Sequence, residues 1–279
     1  MLNVSFFGVR GSTPCAGDET RRYGGNTACV ALERPGHEPI LFDIGTGLRY
    51  FGDTQPRDGS FRGTALVSHL HWDHVQGLPF FVPILRDGAQ FDLYGPTQDD
   101  GSTLEDAFAT FMRPPFFPVQ VEMLPGVINF HTADDSDFAV GDAKVMSRHV
   151  PHVGRTNGYR VTLDGSSVAY ISDHQQPADR PNFVDNAVLE LADNTDVLIH
   201  DAQYTPDEFR NKATWGHCTI DYAITVARAA SAKRLVLFHH DPEHHDDVLD
   251  ELALCARRVG DKIGIEILTA SEGLTVSLD

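Results

Sequence analysis

The sequence predicts an α/β protein built from two mixed β-sheets packed face to face with helices on the outside. Two observations carry this. Short β-type runs recur in adjacent series through both halves of the chain, and helical stretches fall between the series instead of alternating one-for-one with strands, as a doubly wound parallel sheet would require. A third is composition: 279 residues that are 41% hydrophobic supply a sizeable core for one domain spanning 1–279.

Taken in order, residues 2–9, 27–33 and 39–43 read as strands, each bounded by Gly, Pro or charged residues. Gly45-Thr46-Gly47 turns the chain into a short helical stretch, and Thr64-Ala65-Leu66-Val67 reads as a buried strand. A helix from Ser102 to Phe111 and the Pro- and Phe-rich Arg113 to Pro118 read as a packed connection within 96–125, with a rim over a site or a dimer contact as the alternative. Strands follow near 143–149, 158–164, 167–172 and 196–200, then a helix over about 219–231 and a strand at 234–238. A helix over about 244–259 and strands near 263–268 and 274–277 complete the chain.

Charge and cysteine usage exclude several classes. The formal net charge is -18, a field that repels nucleic acid and anionic membranes, so a polynucleotide substrate is disfavoured. Met1 to Arg10 shows no basic leader followed by a long apolar run, and no later run has membrane-spanning length, so a cytoplasmic protein with no membrane partner is expected. Cys15, Cys29, Cys218 and Cys255 form no CxxC pair, which argues against both a disulfide framework and a zinc ribbon.

The most informative stretch is Ser68-His69-Leu70-His71-Trp72-Asp73-His74, directly after a strand. Three histidines and an aspartate within six residues are a ligand density that core packing has no reason to produce. On a tight loop the side chains of His69 and His71 can converge on one ion while Asp73 and His74 begin a helical turn and point to a neighbouring position. Imidazole beside carboxylate suits zinc in hydrolytic sites.

Further ligand candidates close later strands. They are Arg148-His149-Val150-Pro151-His152 with Gly158-Tyr159-Arg160 beyond, Tyr170-Ile171-Ser172-Asp173-His174, and Phe238-His239-His240. His149 is the rival of His152, and His240 of His239; His239 is favoured because it immediately follows the strand and neighbours on a strand project oppositely. Outer hydrogen-bond partners are needed near such ligands, and His174 and His240 are placed for that. His37, His131, His244 and His245 lie among polar or loop residues and are expected to be solvated. Gly8 to Thr13 lacks the P-loop lysine and reads as a tight strand exit, and Asp43-Ile44-Gly45-Thr46-Gly47 as a structural turn. Arg155 reads as an exposed loop charge.

With these motifs the chain resembles the metallo-β-lactamase superfamily, in its ribonuclease Z-like phosphodiesterase branch. The likeness runs from Gly8 to Pro14 through Gly24-Gly25-Asn26-Thr27 and Asp43 to Gly47 to the last histidine motif. It implies a four-layer αββα metallo-β-lactamase-type sandwich with two Zn²⁺, Mn²⁺ being a substitute, at one edge of the sheets. One ion would take His69, His71 and His152, the other Asp73, His74 and His239, with Asp173 bridging. His152 rather than His149 matches the family's His-x5-Gly-Tyr-Arg spacing.

Two more segments resemble that branch. His200-Asp201-Ala202-Gln203 is similar to its His-Glu-Ala-Thr segment with Asp201 in place of Glu, and Gly216-His217-Cys218-Thr219 to its Gly-His-Ser-Thr segment. The resemblance implies that His217 is a general acid or phosphate ligand oriented by Asp201, so that Asp73, His217 and Asp201 are the catalytic residues. Thr219 is placed to cap the following helix.

The resemblance further implies a zinc phosphodiesterase that opens small cyclic phosphodiesters by metal-activated hydroxide, with 3′,5′-cyclic nucleotides as substrates, as in anti-Pycsar-like phosphodiesterases of comparable length. A small anionic phosphodiester fits the charge count, since two zincs against Asp73, Asp173 and one hydroxide leave the site at ~+1. The alternatives are a tRNA 3′-end endonuclease, a sugar cyclic-phosphate phosphodiesterase and a non-catalytic metal-binding sensor. Against the first stands this chain's lack of a basic tRNA-clasping arm, and against the second the lack of a cysteine cluster, since that enzyme type usually carries additional cysteine or histidine metal ligands. A homodimer is expected from the family alone.

Overall fold

The computed structural model describes residues 1–279. Its strands are β1 (Leu2–Gly8), β2 (Cys29–Glu33), β3 (Ile40–Phe42), β4 (Arg62–Leu66), β5 (Gln90–Gly95), β6 (Val127–Thr132), β7 (Ser136–Val140), β8 (Ala143–His149), β9 (Asn157–Leu163), β10 (Ser166–Ile171), β11 (Val197–Asp201), β12 (Arg234–Phe238), β13 (Glu266–Thr269) and β14 (Thr275–Leu278). The helices are α1 (Leu48–Thr54), α2 (Trp72–Val75), α3 (Leu104–Phe111), α4 (Asn186–Ala192), α5 (Pro206–Lys212), α6 (Ile220–Ala229) and α7 (Asp246–Ile263).

Two seven-stranded sheets result, ordered β14-β1-β2-β3-β4-β5-β6 and β13-β12-β11-β10-β9-β8-β7. Alternation of the two faces along the central strands explains why they stack. In β10, Val168 and Tyr170 face the other sheet while Ala169 and Ile171 face helices; in β12, Val236 and Phe238 face inward and Leu235 and Leu237 outward. One core thus fills the space between the sheets, a second lies between one sheet and α4, α6 and α7, and a third lies between the other sheet and α1 and α3. The architecture is an αββα sandwich, as the sequence predicts.

Strand direction decides where the site forms. Strands β3 to β6 are mutually parallel, as are β10 to β13, and the remaining neighbours are antiparallel. Two antiparallel steps restore direction, so β1 points the same way as β3, and β8 the same way as β10. The C-terminal ends of β1, β3, β4, β8, β10, β11 and β12 therefore open at one edge of the sandwich. Hydrogen bonds tie the two sheets together there: the Tyr159 hydroxyl donates to the Val67 carbonyl at 2.8 Å and Asn157 N donates to the Ser68 carbonyl at 2.9 Å.

Several expectations need correction. Strands β5, β6 and β7 and helices α4 and α5 went unread; β6 and β7 carry the sheet edges with half-exposed, polar-rich sequences that lack a clean apolar period. The last helix runs on to Ile263 through Gly260, where the Ile265 carbonyl approaches to 2.5 Å of where a Cβ would stand. Gly260 is a close-packing glycine rather than a stop; the left-handed Gly264 (φ 74°) ends the helix. In the 96–125 segment, Leu104, Phe108 and Met112 are buried against the outer face of the first sheet, the packed connection expected, whereas Phe116 is exposed.

Phe238 is fully buried against Phe6 and Tyr170 and immediately precedes His239. Replacing it by alanine leaves a cavity between the sheets, so F238A is expected to lower unfolding free energy by about 3–5 kcal/mol in denaturant titrations.

Candidate metal centre

The segments that carry His69 to His74, His152, Asp173 and His239 follow strand ends at the shared edge, Asp201 ends β11, and His217 lies between α5 and α6. His69 to His74 follow β4, with Trp72 to Val75 forming the single turn α2; Asp173 follows β10, His152 follows β8, and His239 follows β12. His239 sits in the left-handed region (φ 60°), which turns its side chain inward from the strand end. Its backbone is held by a parallel extension of β1, in which Gly11 N donates to the His240 carbonyl at 3.0 Å and His240 N to the Val9 carbonyl at 3.0 Å.

The donor atoms fall into two groups that share Asp173. In the first, His69 Nε2 lies 2.8 Å from His71 Nδ1, which lies 3.4 Å from His152 Nε2. In the second, Asp73 Oδ2 is 3.1 Å from both His74 Nε2 and His239 Nε2, and those nitrogens are 3.3 Å apart. The Asp173 carboxylate faces both: Oδ1 is 3.8 Å from His69 Nε2 and 3.7 Å from His152 Nε2, while Oδ2 is 3.2 Å from His74 Nε2 and 3.5 Å from His239 Nε2. His71 is exposed, whereas the side chains of His69, His152, His74, His239 and Asp173 are buried, so the cluster meets the solvent through His71.

Tautomers make these contacts informative. The Nδ1–H of His152 donates to the Gly216 carbonyl at 2.6 Å, that of His239 to Gln203 Oε1 at 2.9 Å, and that of His74 to Asp43 Oδ2 at 2.7 Å. In neutral rings the Nε2 lone pairs then converge on carboxylate oxygens and on each other, a repulsive arrangement that a divalent cation reconciles. Asp173 Oδ2 is buried and accepts no hydrogen bond, again as a cation ligand would. The donor set of imidazole and carboxylate fits zinc or a similar cation.

Burial holds His69 and His152 below the ordinary imidazole range. For His74 burial opposes the charge, but Asp73, Asp173 and Asp43 outweigh it and push the ring's pKa well up. Burial likewise opposes ionisation of Asp73 and Asp173, yet the surrounding histidines hold both carboxyls well below the usual range.

His217 and Asp201 meet at the margin of the cluster. Asp201 Oδ2 accepts from His217 Nδ1 at 2.9 Å and from His174 N at 3.0 Å, and Oδ1 accepts from Gln203 N at 3.0 Å. Three donors fix this carboxylate, which turns the His217 Nε2 edge away from Asp201. Burial works against protonation of His217, but the neighbouring Asp201 outweighs it and raises the pKa. Thr219 caps α6 through Tyr222 N, as expected.

The rival and accessory histidines separate clearly. His149 Nε2 takes Arg155 Nη1 at 2.9 Å, and His240 Nε2 donates to the Ala270 carbonyl at 2.9 Å; neither joins the donor groups. Arg155 therefore faces His149 and the acidic Asp134 and is only half exposed. His174 and His200 pair at 2.9 Å behind Asp201. His244 is a correction: it is buried, with Nε2 2.8 Å from Glu208 Oε1.

Three contributions escape sequence reading. Asp43, read as part of a turn, is fully buried and accepts from Ser68 N at 2.7 Å, Ser68 Oγ at 2.8 Å and the Tyr170 hydroxyl at 2.7 Å as well as from His74. Ser12 N donates to Asp73 Oδ2 at 2.7 Å, and a Cβ on Gly11 would stand 2.4 Å from the His239 ring, so the strand exit is shaped to the site. Arg10 is fully buried and donates to the carbonyls of Gly24 at 2.8 Å and His244 at 2.7 Å, fastening the loop after His239. Only the Gly-rich spacing of 8–14 hinted at any of this.

Comparison with known proteins follows the same span. Residues 39–240 match the family model described as a Beta-lactamase superfamily domain, which takes in Asp43 at one end and His239 at the other. The chain is 27% identical to the ribonuclease Z of Natronomonas pharaonis, covering 99% of this chain and 98% of that protein. It is 25% identical to the ribonuclease Z of Haloferax volcanii over 85% of this chain and 84% of the relative. Among solved structures, the metallo-β-lactamase fold protein YhfI from Bacillus subtilis superposes with a TM-score of 0.75 at 19% identity, covering 99% and 98% of the two chains. The short form of human tRNase Z gives 0.70 at 21% identity and 99% coverage of both.

Removing the Asp43 carboxylate frees His74 to rotate and deprives its Nδ1–H of an acceptor. D43A is expected to weaken zinc binding about 10–100-fold, read from metal content after dialysis against a graded chelator series.

Proposed function

Because the chain belongs to the metallo-β-lactamase superfamily, in its ribonuclease Z-like branch, we propose that it is a metal-dependent phosphodiesterase, and that its substrates are small cyclic phosphodiesters, 3′,5′-cyclic nucleotides foremost. The observation that carries this is the His217–Asp201 pair at 2.9 Å beside Asp173, because a phosphodiester's leaving oxygen needs a proton and His217 is held beside the cluster where it can supply one.

In this reading His69, His71 and His152 would hold one divalent cation and Asp73, His74 and His239 the other, with Asp173 facing both groups. Two Zn²⁺, or Mn²⁺ in their place, supply Lewis-acid chemistry and a hydrolytic nucleophile at neutral pH. The residues do the rest. Asp43, Gln203 and the Gly216 carbonyl hold the ligand rings in the tautomer that presents Nε2 inward. Asp201 anchors His217 through Nδ1 and leaves Nε2 free to face the leaving oxygen; burial opposes the ring's charge, but Asp201 outweighs it and raises its pKa, which favours the protonated, donating form. Asp73 serves as ligand and as the acceptor of Ser12 N, which couples the first strand's exit to the reacting centre.

A net charge of -18 favours a small substrate over a polynucleotide, whose affinity rests on phosphate neutralisation. The second reading, tRNA 3′-end cleavage, is supported by full-length relatives named ribonuclease Z and would use the same residues. No helix of the chain is long and apolar enough to cross a membrane. A cytoplasmic homodimer in which residues 1–279 act as one hydrolase domain belongs to the same proposal.

Zinc-loaded protein offered cyclic AMP, cyclic GMP, a tRNA precursor and an aryl phosphodiester is expected to open the cyclic nucleotides and leave the precursor whole. Cyclic nucleotides left intact beside a cleaved precursor would hand the site to the second reading, and metal binding without any turnover would make it a sensor. H217A is expected to lose about 10²–10⁴-fold in kcat while its zinc content and circular dichroism stay those of the parent.

A further inference from the structure

The chain has two tryptophans, and both are exposed beside the metal centre, Trp72 at 73% and Trp215 at 61%. So large an apolar ring is ordinarily drawn into a core or interface. Trp72 stands between His71 and Asp73 as the first residue of α2, and it lines a cleft of about 430 Å³ together with Ser12, His71, Asp73, Asp173 and His217. That volume suits a small-molecule ligand. Its floor is ionic and polar, and Trp72 is the one large aromatic face on its wall.

Nothing in the packing of the protein calls for tryptophan at this position. Lys212 Nζ lies 5.7 Å from the Trp215 ring, whereas the Trp72 ring stacks on no partner from its own chain. Its backbone, in contrast, is held rigidly to the site: His74 N donates to the His71 carbonyl at 3.0 Å and Gln76 N to the Trp72 carbonyl at 2.9 Å. A flat apolar surface is thereby fixed one residue from ligand candidates on either side. A single ring above a polar floor is too small for a protein partner, which needs about 800 Å² per side.

We infer that Trp72 is a stacking platform for the nucleobase of the substrate, set so that a base lies on the ring while the attached phosphodiester lies over Asp73, Asp173 and His217. This deepens the phosphodiesterase reading and rests on it: the substrate class becomes nucleotides, with purines ahead of pyrimidines because their fused rings overlap the indole more fully, and base-free sugar cyclic phosphates become poor substrates. Stacking is sequence-tolerant because every base has a π-face, so the platform confers affinity without reading base edges.

The test compares W72A and W72F with the parent on 3′,5′-cyclic AMP and on methyl riboside 3,5-cyclic phosphate, the same phosphodiester ring without a base. W72A is expected to raise KM for cyclic AMP about tenfold, to keep kcat within about twofold, and to leave the base-free ester unaffected; W72F restores most of the loss. Binding is read separately in W215F, where Trp72 is the sole tryptophan: 5′-AMP is expected to quench its fluorescence saturably, and ribose 5-phosphate is not. Equal losses on both esters, or an unchanged KM for cyclic AMP, overturn the platform while leaving the phosphodiesterase reading intact. Saturable quenching by AMP in a protein that cleaves neither ester supports the platform and sinks the phosphodiesterase reading, and absence of both quenching and cleavage sinks the two together.

Discussion

A carboxylate removed from water must be met by positive charge or by donors, and Asp173 is buried with one oxygen turned to each of two histidine groups. Satisfying it organises the whole edge of the sandwich. Asp173 leaves β10 in the middle of its sheet, and the loops after β4, β8 and β12 bring rings to it from both sheets. The two donor groups are consequently not separate sites that happen to be close. They are the two sides of one carboxylate.

Holding that geometry requires a second layer, which is built where the sheets meet. Tyr170 in one sheet donates to Asp43 at the end of β3 in the other, and Asp43 in turn receives His74. The inter-sheet stack of Phe42 on Tyr170, with ring centroids 4.7 Å apart, places that hydroxyl, so apolar packing between the sheets is transmitted directly to the orientation of a ligand ring. His152 and His239 are steadied in the same way by the Gly216 carbonyl and by Gln203, which lie in the segments flanking His217 and Asp201. The His217–Asp201 pair and the histidine cluster therefore share their supports.

How much of this was legible depended on the range of the signal. Strands β10, β11 and β12 were found because apolar runs end abruptly at charged or histidine-bearing residues, and β8 because its buried positions alternate with polar ones. The edge strands β6 and β7 were not, because half-exposed edges tolerate His131, Asp137 and other polar residues that blur the alternation. His244 looked solvated among Glu243 and His245, yet Glu208 of α5 covers it, a partner 36 residues earlier. Helix α5 itself carried a readable start, the capping box of Thr205 and Glu208, that a search for apolar periodicity passes over.

By itself the sequence determined the sandwich, the identity of the residues at its open edge and the acidic charge of the whole, because apolar period and ligand density are local properties of a chain. Only the tertiary structure decided which nitrogen each histidine turns inward, since that depends on acceptors such as Asp43, Gln203 and Gly216 lying 31, 36 and 64 residues from the rings they hold. It also decided that Trp72, inside the His69 to His74 cluster, faces a cleft and not the core. A side chain's direction is set by what packs around it, and no local spacing records that.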